Sequence, residues 1–594
     1  MCIHLVLLNL KVSNKTTILA SNKNYNTIMK PVYLFTILSI VLLSCSAPEL
    51  PLPEEGSEQI RINQLGYYPQ SLKEFVVADL EATSFQVVDK QQKIRHKGVL
   101  TDRGTWEVSG EKVLSGDFTR LTKSGTYRIL LNTGEASFPF EIEDKLYSEA
   151  LNASIKSFYY QRASMAIEES YGGIYKRGSG HPDDNCAYHP STGKKGFLSS
   201  PGGWYDAGDY GKYIVNASIT VSQMLNLLEL HPDAMAHDKL NIPESGNGIS
   251  DLLDEIRYEL DWMMTMQDED GGVYFKLTAE KFGGFIMPEE YDLDRLIIGK
   301  ATASSLDYAA TMAQVSRVYA EVDPAFSAAA LVTAESAWAW AWAAVNQVVY
   351  RNPEDVSTGE YGDDQLSDEY YWAAAELYVS TGKKIYLNYL LENEEPYKHQ
   401  ITNSWKFFIR NMGFHTLLAN REKIDPALAE SLTKKHLSLS DEILQKMESI
   451  PYGISIDHFE WGSNSDVLNQ AMILCFAHHL SGEQKYLDGA IRNTDYIFGK
   501  NATGYSFLTG YGSKQVMSPH HRPSGADEII EPVPGFILGG PNDHRQDRQQ
   551  TKYDSEFAAK AFADVEASFA SNEVCLNWNA PAVFVLGYLE QVMK

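Results

Sequence analysis

Basic residues, cysteines and long apolar runs are all scarce in this chain of 594 residues. The 51 Lys and Arg residues are outnumbered by 78 Asp and Glu residues, and the net charge of −27 argues against nucleic acid or an acidic membrane surface as a partner. The five cysteines are scattered and form no CxxC pair, so no disulfide framework is evident. The sequence also lacks a short-period repeat, which argues against a solenoid.

The apolar run near the N-terminus covers only residues 32–43, which is too short to span a bilayer and resembles a secretory signal segment. It ends in Leu-Leu-Ser-Cys45, which looks like a bacterial lipobox and predicts cleavage before Cys45 and lipid attachment to it. Residues 1–45 are therefore expected to be an upstream extension plus a lipoprotein signal peptide, with Met29 as the start. The alternative is an ordinary signal peptide with an incidental cysteine. Residues 46–58 are expected to be a flexible linker.

Two regions of different composition follow. Short β-rich segments separated by turn residues fill residues 59–143 and predict a small β-sandwich. In residues 145–594, apolar side chains recur at helical spacing and indicate about a dozen helices. The loops between them are long and rich in Gly, Pro and aromatic residues, and such loops usually carry function. The pattern suits a closed helical barrel or a large bundle, and periodicity cannot choose between them.

The most distinctive stretch of the helical region is residues 202–213, which read GGWYDAGDYGKY and contain Asp206 and Asp209. The four glycines predict a tight loop, and the apolar periodicity after Tyr213 predicts that a helix begins there. Two interpretations follow from these residues alone. The aspartates either cap the helix or form part of an active site.

Two later stretches carry further polar chemistry. Residues 506–522 read SFLTGYGSKQVMSPHHR, and their final His and Arg side chains can hydrogen-bond hydroxyl or carboxylate groups. The alternative is an ordinary ion pair of the arginine. In residues 562–581, Glu573 lies among apolar residues, where a carboxyl group acquires the raised pKa that a general acid needs. The alternative there is a glutamate favoured by the dipole of the last helix.

Two aspartates and a distant glutamate match the needs of glycoside hydrolysis. Inverting enzymes use two carboxyl groups about 6.5–9.5 Å apart, with room between them for the attacking water. Because any acidic protein has distant carboxylates, the spacing alone does not compel this interpretation.

The same three stretches resemble glycoside hydrolase family 9. Residues 202–213 match the family's nucleophile-water loop, and residues 506–522 match its histidine signature. Five residues fit its second signature: Asp564, Phe569, Glu573, Asn579 and Ala580. Cys575 departs from the Ser, Thr or Ala that is usual at its position. Residues 60–69 resemble the first strand of the immunoglobulin-like module that often precedes this catalytic domain.

The resemblance implies an immunoglobulin-like β-sandwich followed by an all-α (α/α)6 barrel that cleaves β-1,4-glucosidic bonds with inversion. It implies that Asp209 is the general base, that Asp206 helps to hold the attacking water and that Glu573 is the general acid. It also implies that His520 and Arg522 hydrogen-bond the sugar beside the scissile bond.

Other residues receive supporting roles from the resemblance. Asp564 is expected to orient its catalytic neighbours rather than to react. Six aromatic residues are candidate sugar platforms, with packing in the core as the alternative for each: Trp204, Tyr205, Trp372, Trp461, Tyr505 and Trp578.

No cofactor is implied for the chemistry, but some family members bind zinc or calcium. Ala163 stands where the zinc-binding members have a cysteine, and the remaining zinc candidates are His181, Cys186 and His189. Because a tetrahedral site needs four ligands, Asp183 or Asp184 would have to complete it, and zinc is disfavoured. The candidate ligands for a structural calcium are Asp363, Asp364 and Asp368.

The sequence thus predicts an exported, lipid-anchored, monomeric endo-β-1,4-glucanase of the bacterial cell envelope, on the outer membrane or its periplasmic face. Its expected partner is a β-glucan poly- or oligosaccharide of cellulose-like or xyloglucan-like type. One alternative is an exo-acting β-glucosidase or exo-β-glucosaminidase on oligosaccharides. Another is a non-catalytic glycan-binding lipoprotein, against which the joint presence of Asp206, Asp209 and Glu573 argues.

Overall fold

The computed structural model of the protein describes residues 53, 55–235, 239–343, 347–393 and 409–593. The predicted upstream extension, signal peptide and Cys45 lie outside the described residues, as does the linker up to residue 52. Among the residues that are described, no helix is both long enough and apolar enough to cross a membrane.

The N-terminal region is a β-sandwich of two sheets, with strand orders β1-β3-β7-β6 and β2-β9-β8-β4-β5. Its strands are β1 (Ile60–Arg61), β2 (Gly66–Tyr67), β3 (Glu74–Ala78), β4 (Ser84–Asp89), β5 (Ile94–Val99), β6 (Thr101–Trp106), β7 (Glu111–Asp117), β8 (Gly125–Leu131) and β9 (Phe140–Ile142). The inward side chains of both sheets form one apolar core, in which Phe75 and Phe85 meet at a ring-centroid distance of 4.8 Å. The predicted sandwich is confirmed, although β5 and β6 were not recognisable in the sequence, because their side chains are mostly exposed and polar.

Polar contacts join the sandwich to the helical region. The Asn63 side chain donates to Asp495 Oδ1 (2.8 Å), and the Arg492 guanidinium donates to both carboxylate oxygens of Glu74 (2.9 and 3.1 Å). The sandwich is therefore packed directly on the helices within one compact unit.

The rest of the described chain is mainly helical, as predicted. Its helices are α1 (Ser148–Tyr160), α2 (Glu169–Gly172), α3 (Ile214–Leu230), α4 (Asp251–Thr265), α5 (Thr302–Val318), α6 (Pro324–Trp342), α7 (Ser367–Thr381), α8 (Lys384–Glu392), α9 (Arg410–Ala419), α10 (Pro426–Ser449), α11 (Ser463–Ser481), α12 (Gln484–Ile497), α13 (Arg522–Ala526), α14 (Phe569–Asn572) and α15 (Leu576–Val592). Helix α3 packs against α5 and α15, α5 against α7, α7 against α9, and α11 against α15. Helices α3 and α5 are buried on nearly every side, which is typical of the inner layer of a two-layer helical fold.

A small five-stranded sheet lies among the loops of the helical region and was not predicted. Its strands are β10 (Cys186–Tyr188), β11 (Phe197–Leu198), β12 (Lys212–Tyr213), β13 (Tyr274–Thr278) and β14 (Leu296–Lys300). Strands of two to five residues give no detectable period, so only tertiary pairing reveals them. The sheet matters for function because β12 forms the end of the loop 202–213, shortly after Asp209. The pairing of β12 with β13 therefore anchors this loop.

Candidate active site

Backbone contacts bring the three sequence stretches to one place. Ala207 forms an isolated β-bridge with Cys575, and His520 forms another with Glu573. Arg522 donates from its backbone N–H and from Nη1 to the carbonyl oxygen of Gly208 (3.1 and 2.7 Å). A Cβ atom at Gly208 would lie 2.1 Å from the His520 carbonyl oxygen, so this contact requires glycine. The loop 202–213 is thus clamped between the histidine stretch and the glutamate stretch.

The three stretches enclose a cavity of about 690 Å³. Asp209 and Glu573 both line it, together with the predicted sugar-binding residues His520, Arg522, Trp461 and Trp578. The structure therefore assembles two carboxyl groups, two hydrogen-bonding side chains and an aromatic wall from segments that are far apart in sequence. A volume of this size accommodates a ligand of several rings.

The two aspartates of the loop have different surroundings. Both carboxylate oxygens of Asp206 are occupied, because Oδ1 accepts from Asn216 Nδ2 (2.9 Å) and Oδ2 accepts from the Tyr361 hydroxyl (2.7 Å). Burial raises the pKa of Asp206 to about 7, the charge of Asp209 adds to this, and the two hydrogen bonds oppose it. Asp209 accepts from the Gly211 N–H through Oδ1 (2.5 Å) and lines the cavity. Asp206 is thus held in place, whereas Asp209 faces the space where a ligand would bind.

Glu573 lines the same cavity and lies just before α15. Burial raises its pKa well above the usual 4.5, and the negative charge of Asp209 raises it further, while Arg522 opposes both effects. A carboxyl group in this setting keeps its proton near neutral pH, as the sequence analysis expected from its apolar neighbours.

Arg522 and His520 support a strap of chain that crosses one side of the cavity, formed by residues 281–286. Arg522 Nε donates to the Gly283 carbonyl (3.1 Å), and the His520 ring packs edge-to-face on Phe285 at 5.1 Å. The Phe282 side chain of the strap lines the cavity and is 46% exposed. Sequence reasoning missed Phe282, because its segment carries no signature and only the fold brings it to Arg522.

Three of the six predicted sugar platforms, Trp204, Tyr205 and Trp372, are buried, and the structure therefore favours core packing over sugar contact for them. Trp204 is buried with its indole N–H donating to Glu255 (2.8 Å), and Trp372 is buried with its N–H donating to Glu376 (3.3 Å). Tyr205 is fully buried, with its hydroxyl 2.7 Å from His181 Nδ1. The first three side chains are core residues with a satisfied polar atom, the alternative that the sequence left open. Tyr505 is half-buried, packs on Phe562 and lies under Lys514, and it stays a candidate.

Asp564 also lies outside the cavity walls. Its carboxylate accepts from the backbone N–H groups of Met517 (2.9 Å) and Ser518 (2.8 Å). It therefore holds the histidine stretch in place, which agrees with the supporting role expected for it.

Two further residues connect the site to the small sheet and were not predicted. Tyr361 reaches Asp206 from the loop before α7, as described above. Lys276 of β13 is fully buried and donates to the Gly359 carbonyl (2.8 Å), Thr358 Oγ1 (3.0 Å) and Asn352 Oδ1 (2.8 Å). Burial lowers its pKa to about 7, and the negative charge of Asp209 opposes this. Lys276 thus fixes the segment that carries Tyr361. The only sequence signal for Tyr361 was its position as an aromatic residue in a Gly-rich, acidic loop.

The zinc candidates do not converge, which corrects their selection as a ligand set. His181 Nδ1 contacts Tyr205, His189 Nε2 contacts Asp355 (3.2 Å), and the Cys186 thiol contacts Asp183 (3.7 Å). In the part of the chain that the structure describes, no three His, Cys, Asp or Glu side chains form a group that could hold a metal ion.

Asp183, one of the two candidates for the fourth zinc ligand, is paired with basic side chains. The buried Asp183 carboxylate pairs with Lys212 Nζ (2.7 Å) and Arg295 Nε (2.9 Å). Burial alone would raise the pKa of Asp183, but Arg295 and Lys212 together hold it below its usual value. Lys212 also donates to the Gly202 carbonyl (2.7 Å) and Arg295 to the Tyr210 carbonyl (2.6 Å). The ion cluster of Asp183, Lys212 and Arg295 therefore holds the loop 202–213 at two points.

Two of the three calcium candidates have partners within the protein. Asp363 Oδ1 accepts from the Gln365 N–H (2.8 Å), and Asp364 pairs with Arg351 (3.5 Å). Asp368 lies beside Glu369, and both have raised pKa values through burial. Calcium stays a prediction.

A helical domain that presents two carboxyl groups in one cavity lined by aromatic residues has the form of a glycosidase site. Comparison with known proteins gives the family. Residues 147–586 match the model of glycosyl hydrolase family 9, and residues 55–135 match the cellulase N-terminal ig-like domain. The chain belongs to glycosyl hydrolase family 9, and it carries the immunoglobulin-like domain that the sequence predicted.

Two curated relatives and one solved structure illustrate the similarity. The chain is 39% identical to a xyloglucan-specific endo-β-1,4-glucanase of Bacteroides ovatus, over 95% of this chain and 98% of the relative. It is 31% identical to endoglucanase D of Acetivibrio thermocellus, over 91% of this chain and 85% of the relative. The structure of a Bacteroides ovatus family 9 protein superposes with a TM-score of 0.84 at 38% identity, covering 90% of this chain and all of the other.

Proposed function

We propose that this protein is an endo-β-1,4-glucanase that hydrolyses xyloglucan-like or cellulose-like glucans with inversion of configuration. The observation that carries the proposal is that Asp209 and Glu573 line one cavity. The names of the curated relatives, an endoglucanase and a xyloglucan-specific endoglucanase, support the substrate class.

The proposed reaction is a single displacement by water. Asp209 takes a proton from the water, whose oxygen bonds to the anomeric carbon, while Asp206, held by Asn216 and Tyr361, helps to position that water. Glu573 gives its proton to the departing glycosidic oxygen. Asp209 then loses its proton and Glu573 regains one from solvent, so the enzyme returns to its starting state.

Sugar binding in this proposal uses the cavity walls. Trp461, Trp578 and Phe282 offer aromatic faces to the apolar C–H faces of glucose rings, and His520 and Arg522 hydrogen-bond the hydroxyl groups. Burial lowers the pKa of His520, which suits a neutral hydrogen-bonding imidazole.

The helix packing supports an (α/α)6 barrel. Six helices that pack in succession (α9, α7, α5, α3, α15 and α11) form the inner layer in this proposal, with the intervening helices outside. The N-terminus of α3 follows the loop 202–213, so the carboxylates lie at the end of the barrel where inner helices begin.

The test is a hydrolysis panel with product sizing. The substrates are xyloglucan, carboxymethylcellulose, mixed-linkage glucan, cello-oligosaccharides and chitosan oligosaccharides. Rapid loss of polymer viscosity relative to the release of reducing sugar is expected. Release of single sugars from chain ends without viscosity loss would favour the exo-acting alternative, and no hydrolysis by the wild type would favour the non-catalytic one. NMR of fresh product should show inversion, and retention would reject the mechanism.

We also propose that the protein is exported and lipid-anchored through Cys45 in a bacterial cell envelope. The support is the Leu-Leu-Ser-Cys45 sequence after an apolar run. Labelled palmitate should enter the wild type and not Cys45→Ser, and the variant should leave the membrane fraction. Equal labelling of both would overturn the anchor.

A further inference from the structure

Five aromatic side chains gather at the surface where α6, α7 and α8 meet, and we name them the aromatic cluster: Trp338, Trp342, Tyr370, Tyr386 and Tyr389. The two tryptophans stack on α6, with ring centroids 5.4 Å apart and planes 16° apart. Tyr370 and Tyr389 each meet Trp342 in a T-shaped arrangement, at 5.9 and 5.7 Å. Trp338 is buried, whereas Trp342 is 52% exposed. The cluster thus holds one indole rigidly and leaves much of it open to solvent.

The cluster lies at the same end of the helical domain as the active site. The segment after Trp342 is tied to the start of α5, because the Thr302 N–H donates to the Val348 carbonyl (2.9 Å) and the Val348 N–H to Thr302 Oγ1 (2.8 Å). Helix α5 follows β14, which belongs to the same sheet as β12 beside the loop 202–213. Tyr370 lies in the first turn of α7, just after the loop that carries Tyr361 to the cavity.

The chemistry of the cluster favours a neutral sugar over a peptide or an anion. Two ionisable side chains that border it, Glu335 and Lys383, form an ion pair with each other. At its edge, the Tyr370 hydroxyl donates to the Ala341 carbonyl (2.7 Å) and accepts from Gln347 (2.7 Å). Polar groups therefore lie beside the ring faces. A pyranose ring has the matching pattern, with an apolar C–H face and hydroxyl groups at its edge. Exposed aromatic surface of this kind marks an interaction site.

We propose that the aromatic cluster is an accessory glucan-binding site, at which Trp342 stacks on a sugar ring of a polymer that also enters the cavity. The inference rests on the glucanase function proposed above. Binding at two places on one chain raises the affinity for polymer, because the second contact becomes intramolecular. A short oligosaccharide that fills only the cavity gains nothing from it.

The test compares polymer and oligosaccharide binding by Trp342→Ala in the full chain. A Glu573→Gln background keeps the ligand intact. Affinity electrophoresis in xyloglucan measures polymer binding, and calorimetry measures cellotetraose binding. We expect polymer affinity to fall by about tenfold, which is ~1.4 kcal/mol, and tetraose affinity to change by less than about twofold. Trp342→Tyr, which keeps an aromatic face, should retain most of the polymer affinity.

Phe557→Ala is the matched control, because Phe557 is an exposed aromatic outside the cluster. Polymer affinity of Trp342→Ala equal to that of this control overturns the proposal. A shift from dimer to monomer in sedimentation on Trp342→Ala would assign the cluster to a second copy of the chain and also overturns it. Absence of glucan hydrolysis by the wild type rejects the proposed function instead, and the polymer-binding assay still decides the accessory site.

Discussion

Two buried carboxylate sites contact the loop 202–213, and their surroundings treat negative charge in opposite ways. In the ion cluster, Asp183 is neutralised by Lys212 and Arg295 at hydrogen-bond distance. At the active site, Asp206 is held by neutral partners, and the pKa of Glu573 is raised by burial and by Asp209. The first site fixes a charge permanently and fastens the loop, whereas the second leaves carboxyl groups able to exchange protons.

The difference explains how one short loop serves both structure and chemistry. A paired carboxylate cannot easily act as an acid or a base, because its cations stabilise the charged form. A carboxyl group in a dry site without a paired cation titrates near neutral pH, as general acids require. Breaking either site should therefore affect a different property.

The largest effect is expected from Glu573→Gln. Removal of the general acid should lower kcat by about 10²- to 10⁴-fold, since the leaving oxygen then departs without a proton. Glu531→Gln, at an exposed glutamate, is the control and should keep wild-type kcat. Circular dichroism should show both variants folded. Activity above a few per cent in Glu573→Gln would remove this residue as the acid.

The next effect is on stability, from Asp183→Asn. The change leaves Lys212 and Arg295 buried without a countercharge, which should cost about 3–5 kcal/mol of unfolding free energy. Asp184→Asn, at the exposed neighbouring residue, should be nearly neutral. Chemical denaturation measures both. Equal stability of the two variants would show that the ion cluster does not fasten the loop.

A smaller effect on catalysis is expected from Tyr361→Phe. Loss of the hydroxyl that donates to Asp206 should lower kcat by about tenfold, in line with ~1.5 kcal/mol for a hydrogen bond to a charged group, with KM little changed. Tyr350→Phe, which removes a hydroxyl bonded to Asn352, is the control. A higher KM with an unchanged kcat would place Tyr361 in sugar binding rather than in positioning Asp206.

The smallest expected effects are on the pH dependence of stability, to which Asp183 and Glu573 contribute with opposite signs. The folded-state pKa of Asp183 is depressed, so its contribution is present above 3.8 and is lost as the pH falls. The folded-state pKa of Glu573 is raised, so stability is lost as the pH rises from 4.5 towards the folded value. Glu573→Gln should therefore flatten the fall of Tm with rising pH. Thermal scans from pH 4 to 9 measure this. If Tm falls with rising pH as steeply in Glu573→Gln as in the wild type, the result would contradict a raised pKa at Glu573.

Much of the architecture was predictable from local patterns. Period-two segments predicted the sandwich, and period-3.6 segments predicted the helical region, because both elements bury one face or stripe along their length. The short strands β10–β14 escaped this reasoning, since two to five residues cannot display a period. The aromatic platforms failed for a related reason: the chemistry of Trp372 is the same in a core as in a cavity, and only burial separates the two.

The sequence by itself determined the two-part architecture, the loop that carries Asp206 and Asp209, and the resemblance that joined this loop to Glu573, His520 and Arg522. Residue type and order suffice for these, because they reflect local backbone needs and recurring motifs. Only the tertiary structure decided which aromatic residues line the cavity, that Tyr361 and Lys276 support Asp206, and that Asp183 pairs with two cations. These depend on contacts between segments that lie from about 30 to more than 150 residues apart, whose side chains carry no sign of their partners until the chain is folded.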